Sequence, residues 1–248
     1  MIEQSIDNDI VTLTLSHGKA NAADLELLTA LSDSLAELGE ARAVILTGRG
    51  SMFSAGVDLA RLLKGGADYA AEFVPLLDRV VREMFAFPAP LVTAINGHAI
   101  AGGCMFGLAG DHRIMARGKG RIGAPELLVS VPFPIAPLEL LRYAIPPQHL
   151  HSLIYGGSTL LADDATDKGV IDEACDADQL MERAMVVATR LGALDSRNFR
   201  LTKTMLRDPG LQRMLNAGER LNPAVYQRWA EAQTLDGIQR YMDKLAGG

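Results

Sequence analysis

The sequence predicts an α/β fold, and three features of its first half carry the prediction. Ile10-Val-Thr-Leu-Thr-Leu15 alternates with period two, as a half-buried strand does. Leu25, Leu28, Leu31, Leu35 and Leu38 recur at the spacing of one helix face. Ala43-Val-Ile-Leu-Thr47 is a short apolar run closed by Gly48-Arg-Gly50, the pattern of a strand buried on both faces. Strands interleaved with helices at this spacing imply a layered α/β architecture.

The remaining elements follow in order. His17 to Ala22 reads as a loop, with Asp24 placed to cap the leucine-rich helix. Asp58 is placed to cap a second helix, and residues 72 to 87 carry a broad apolar stripe that Pro88-Ala-Pro90 ends. Leu91 to Ile95 and His112 to Ala116 read as strands on either side of a small-residue helix that starts near Ala101-Gly-Gly103. Pro132, Pro134, Pro137, Pro146 and Pro147 argue against a long helix before 138. A short helix is expected between Leu160 and Asp172, a longer one from Gln179 to Leu194, and helix alone beyond Ser196, punctuated by Pro209 and Pro223. The organisation is therefore an α/β body over 1–194 and a helical region over 195–248. The latter is too short for its own core and is expected to pack on the body or on another subunit.

Composition narrows the function. At 48% hydrophobic and 22% charged, the 248-residue chain has the profile of a soluble globular protein. It has no run of 18 apolar residues and no charged-then-apolar leader, so a membrane span or signal peptide is not expected. Two cysteines, Cys104 and Cys175, make no disulfide framework and fit a cytoplasmic location. A net charge of −6 with scattered Lys and Arg argues against nucleic acid as a partner. The histidines lack the Cys or carboxylate neighbours that would complete a metal site, so no metal is expected.

The chemistry concentrates at Ala94 to Asp111. A strand there ends at Asn96-Gly97, and paired glycines open a buried helix. Glycine lets backbone N–H groups approach a ligand, and a helix N-terminus adds partial positive charge, which together suit an oxyanion or a phosphate. Two familiar motifs fail nearby. Gly48-x-Gly50 lacks the third glycine of a dinucleotide fingerprint, because Phe53 stands there. Ser54 is no nucleophile elbow, because Met52 occupies the glycine position; a turn or a backbone hydrogen bond is its expected role.

Five stretches stand in one order: Lys19-Ala-Asn-Ala22, Phe53-Ser-Ala-Gly-Val-Asp-Leu59, Ala101-Gly-Gly103, Ala124-Pro-Glu126 and Gly169-Val-Ile-Asp172. In that order and spacing the chain resembles the crotonase (enoyl-CoA hydratase/isomerase) superfamily over roughly residues 5 to 190. The resemblance implies a spiral of β-β-α units, a C-terminal helical region that builds trimers or hexamers, and an acyl-CoA substrate, with no cofactor beyond the coenzyme A of that substrate. Matched position by position, it implies that the backbone N–H groups of Val57 and Gly102 hold the thioester oxygen. It also implies that Lys19, Ala20, Ala22, Ser54, Ala55, Asp58, Leu59, Gly103 and Met105 surround the substrate. Arg61 and Lys64 fit either CoA phosphates or a solvated helix face.

The sequence departs from the family's hydratases at one acid/base. Those carry two glutamates; here the first position is Met105 and the second is Glu126. Hydration needs two proton-handling groups, whereas moving a double bond needs one, so the expected activity is isomerisation of a 3-enoyl-CoA to a 2-enoyl-CoA by Glu126. An apolar pocket to which Met105 and Phe106 contribute would raise the Glu126 pKa. A hydratase-like lyase, an acyl-CoA hydrolase and a non-catalytic acyl-CoA binder remain the alternatives. Pro132 to Pro137, where the family has a Gly-rich helix entrance, is expected to line the acyl pocket.

Overall fold

A computed structural model describes residues 1–246. It opens with β1 (Ile2–Asp7), β2 (Ile10–Leu15) and α1 (Leu25–Glu37), followed by β3 (Ala43–Gly48), β4 (Met52–Ser54) and α2 (Leu59–Ala86). β5 (Leu91–Ile95), β6 (His98–Ile100) and α3 (Gly102–Leu108) come next, then β7 (His112–Ala116), β8 (Ile122–Gly123) and α4 (Ile135–Ala144). The chain continues with α5 (Pro147–Gly156), β9 (Thr159–Leu160), α6 (Ala162–Asp167), β10 (Glu173–Cys175) and α7 (Leu180–Gly192), and closes with α8 (Ser196–Ala230) and α9 (Ala232–Ala246).

The order is a β-β-α unit used four times. One sheet runs β1-β2-β3-β5-β7-β10 and the other β4-β6-β8-β9. Each unit after the first places its leading strand in the first sheet and its second strand in the second, one position further along. The path is therefore a spiral. The leading strands pair in parallel, with Val44 opposite Leu91 and Val92 opposite His112. β1 pairs antiparallel with β2 and forms an edge that the sequence reading missed, because its residues are mostly exposed and polar.

Period-two alternation divides the apolar residues of the first sheet between two cores. Val11, Leu13, Leu15, Val44 and Leu46 join the main core with α1, α2 and α3. Ile10, Ala43 and Ile45 face the opposite side, where α7 covers them with Leu180, Ala184, Val187 and Ala188. The helical C-terminal region shares the main core, to which it contributes Met214, Trp229 and Ile238.

Helix boundaries differ from expectation in three places. α2 extends from Leu59 and breaks at Gly66, whose φ of 62° lies outside the helical region. α4 begins at Ile135, with Pro134 at its N-cap and Pro137 in its first turn, where a missing N–H costs nothing. α8 continues through Pro209 and Pro223. Both prolines are exposed, so the carbonyls they deprive of partners face water. Among the described residues no helix is long and apolar enough to cross a membrane, and no group of three or more His, Cys, Asp or Glu could hold a metal ion.

Candidate active site

A cavity of about 520 Å³ lies where the C-terminal ends of β4 and β6 meet the Pro125–Val131 turn and the last two helices. Its lining includes the buried Val129, Val131 and Trp229 and the half-buried Tyr241 and Met242, together with the half-buried Met52 and His98 and the exposed Ala60.

Two backbone donors come together at its wall, Val57 lining the cavity itself and Gly102 following Ala101, which lines it. Ala23 forms a single parallel bridge with Val57. Its N–H donates to Gly56 O at 2.7 Å and its carbonyl accepts from Asp58 N at 2.9 Å. A bridge made through both neighbours of Val57 turns the N–H of Val57 itself away from Ala23, and Val57 lines the cavity. Gly102 is the first residue of α3, where backbone N–H groups have no intrahelical acceptor. The two come close: a Cβ placed on Gly102 would sit 3.8 Å from Val57 N. Among the described residues neither N–H has a hydrogen-bond acceptor.

This approach depends on glycine and on strain. A Cβ on Gly56, whose φ is +80°, would lie 2.4 Å from Ile100 O and 2.9 Å from Gly102 N. Ala101, the N-cap of α3, holds a φ of 51° that a side-chain-bearing residue rarely adopts. Its N–H donates to Gly123 O at 2.9 Å, which ties the helix entrance to β8 and so to Glu126 three residues on.

Glu126 is 7% exposed and lines the cavity. Its Oε2 is buried without a hydrogen-bond partner. Burial pushes its carboxyl up to about 8, against a small opposing effect of its own backbone N–H. A carboxyl near neutral pKa beside two unpartnered N–H groups can move a proton while they hold a developing oxyanion.

The remaining residues named from sequence fall into two groups. Ala22, Ala55, Asp58 and Leu59 line the cavity with Val57 and Glu126. Asp58 also caps α2, accepting from Arg61 N at 2.9 Å. Ser54, Gly103 and Met105 do not line it, and they pack behind the wall. Ser54 is fully buried, donates to Asn21 O at 2.7 Å and accepts from Gly56 N at 3.1 Å. Gly103 is pressed on Ser54, whose carbonyl oxygen would lie 2.3 Å from an added Cβ. Met105 and Phe106 are core residues at 1% and 0% exposure and do not line the cavity, whereas Val129 and Val131 line it with Glu126. Lys19 and Ala20 do not line it either: Lys19 is exposed, and the Ala20 carbonyl accepts from Ala55 N at 2.9 Å. Lys64 is exposed, while Arg61 is engaged with Asp24 and Glu26.

The stretch expected to line the acyl pocket is displaced. None of Pro132 to Pro137 reaches the cavity; Pro132 O accepts from Trp229 Nε1 at 2.9 Å, and Phe133 and Ile135 line a separate surface groove. Val129 and Val131, just upstream, take that place. Sequence reasoning also missed His98, Trp229, Tyr241 and Met242 as cavity residues. The periodicity of the last helix marks Tyr241 as apolar-face, but nothing local says that this face reaches Glu126.

With this geometry in place, the comparisons with known proteins are direct. The model of the enoyl-CoA hydratase/isomerase family matches residues 5–247. The chain belongs to the enoyl-CoA hydratase/isomerase family, and hence to the crotonase superfamily. A Thermus thermophilus protein provisionally named an enoyl-CoA hydratase is 32% identical over 226 residues, covering 89% of this chain and 87% of its own. Mouse mitochondrial enoyl-CoA delta isomerase 1 is 28% identical over 254 residues, covering 99% and 86%. The crystal structure of human mitochondrial delta3-delta2-enoyl-CoA isomerase superposes with a TM-score of 0.91 over 99% of this chain and 98% of its own; at 24% identity it speaks to the fold alone.

Proposed function

We propose that the protein is an enoyl-CoA isomerase that converts 3-enoyl-CoA thioesters to 2-enoyl-CoA thioesters, with Glu126 as its acid/base. The observation that carries this reading is the Glu126 carboxyl, buried with one oxygen unpartnered, in a cavity it shares with Val57 and beside Gly102. The ionised carboxylate takes a proton from C2 of the substrate. The C3=C4 pair shifts to C2=C3 through a dienolate whose charge rests on the thioester oxygen, between the Val57 and Gly102 N–H groups. Glu126 then returns the proton to C4. Losing one such donor typically costs ~10²–10³ in rate.

Isomerisation is favoured over hydration because the position of the family's other glutamate is Met105, buried in the core. Asp58 is committed to its helix cap and leaves Glu126 as the carboxyl free to act. The acyl chain takes the apolar part of the lining, with Val129, Val131 and Trp229, and the bulky CoA extends toward solvent. A trimer or hexamer belongs to the same proposal. Leu201, Met205 and Leu206 on α8 are all more than 60% exposed, a face for another subunit that light scattering would test.

The test is ultraviolet absorbance of the conjugated thioester after mixing with 3-enoyl-CoA substrates of several lengths. A rise abolished by Glu126→Gln supports the isomerase. No rise at any length would sink it in favour of another acyl-CoA reaction or of binding alone.

A further inference from the structure

The proposed chemistry needs the Val57 N–H aimed at one place, and the backbone that aims it is held by an ionic cluster centred on one buried carboxylate. Asp24 follows Ala23, the residue that grips both neighbours of Val57, and is 3% exposed. Its Oδ1 accepts the Leu27 N–H at 2.8 Å and opens α1. Its Oδ2 lies 2.7 Å from His17 Nε2 and 2.8 Å from an Arg61 terminal nitrogen. Arg61 reaches back from the first turn of α2, pairs also with Glu26 and lies over the Tyr69 ring at 5.5 Å. The Tyr69 hydroxyl accepts the Leu25 N–H at 3.3 Å. At the other end of the loop the His17 N–H donates to Asn21 Oδ1 at 2.9 Å. One carboxylate therefore joins the start of the 17–24 loop, its end and the first turn of α2 into a closed path that includes the Ala23–Val57 bridge.

A helix cap does not need this carboxylate. A serine hydroxyl accepts the same N–H almost as well. Burying a full charge costs stability unless it is paired, so what Asp24 adds beyond the cap is its hold on His17 and Arg61. Burial alone would raise its carboxyl; the Leu27 N–H, His17 and Arg61 outweigh burial and hold it below the usual range.

We propose that Asp24 is a positioning residue for the Val57 oxyanion donor, fixing the Ala23–Val57 bridge by joining His17 to Arg61. This rests on the reading of Val57 as a donor to the thioester oxygen. A displacement of about 1 Å at such a donor costs on the order of 100-fold in rate while leaving the rest of the binding surface intact.

The experiment uses Asp24→Ser, which keeps the cap and removes the clamp, and Arg61→Gln, which removes one half-exposed arm and decides the matter should Asp24→Ser not fold. The probe is a cinnamoyl-CoA bearing an electron-donating ring substituent, whose absorbance moves to the red when its carbonyl oxygen accepts hydrogen bonds. In Asp24→Ser the red shift is expected to fall by more than half and kcat by about 10- to 100-fold, with probe Kd and KM within about threefold of wild type. Arg61→Gln is expected to move the same way by a smaller factor. A full shift and full kcat in both variants would overturn the proposal. A wild-type protein that shifts the probe without isomerising 3-enoyl-CoA would defeat the isomerase reading yet leave the spectral test of Asp24 in force. No shift in the wild type would overturn the donor assignment, and this proposal with it.

Discussion

Asp111 and Lys203, 92 residues apart in sequence, meet at 2.6 Å with both side chains nearly buried. Arg207, one turn along α8, bonds the other Asp111 oxygen at 2.7 Å, and Asp111 also accepts the Leu91 N–H at 2.9 Å. Burial lowers the Lys203 ammonium to about 8, against the pull of Asp111. A carboxylate at the end of α3 thus pins the helical region to the body. Asp111→Asn leaves two buried cations short of their counter-charge and is expected to destabilise the protein by about 3–5 kcal/mol. Denaturant unfolding measures it, and a loss under about 1 kcal/mol would show the pair to be incidental.

Glu126 sets the pH dependence of the proposed reaction. The base must be ionised, and its carboxyl releases its proton near 8. The kcat/KM for 3-enoyl-CoA is expected to rise with pH and reach half its plateau near that value, since this ratio reports the free enzyme. A profile flat from pH 6 to 9 would exclude Glu126 as the base.

The same group makes a stability prediction of defined sign. Folding raises the Glu126 carboxyl from 4.5 to about 8, so between those values the folded protein holds a proton that the unfolded chain has released. Stability contributed by the neutral carboxyl is full below about 4.5 and is lost as pH rises through 8. Glutamine does not titrate. Glu126→Gln should therefore gain on wild type by on the order of 3 kcal/mol between pH 5 and pH 8. Parallel unfolding curves at the two pH values check it, and an unchanged difference counts against the shift.

Met242 lines the cavity with Trp229 and Val131. Met242→Ala is expected to raise kcat/KM for an acyl chain one or two carbons longer, relative to the best wild-type substrate, by about tenfold, the typical value of a methylene in such a pocket. Equal effects on all lengths would place the acyl chain elsewhere.

Legibility in sequence followed the range of each interaction. Ile10–Leu15, α1 and Ala43–Thr47 announce themselves because burial against one or two faces writes a local period. The place proposed for the paired donors is marked by glycine at one position: a Cβ on Gly56 would collide with Ile100 O and Gly102 N. Ser54 and Met105 misled because adjacency to such a motif does not tell the cavity side of a wall from its back. Trp229 and Tyr241 reach the site by tertiary packing more than 100 residues from Glu126, and no local pattern encodes that. Pro209 and Pro223 look like helix ends until their exposed setting is known.

Trp229, Tyr241 and Met242 reach the cavity wall only after every strand and Glu126 have been made. A ribosome that has released the first 190 residues has delivered every strand and Glu126, but none of the residues that roof the cavity. At about 5–20 residues per second the stretch from 191 to Met242 takes several seconds to emerge. During that interval the nascent chain presents Val129, Val131 and the main core's C-terminal side to solvent. The apolar wall of the site is thus an aggregation hazard late in synthesis, after the strands are made, and not early.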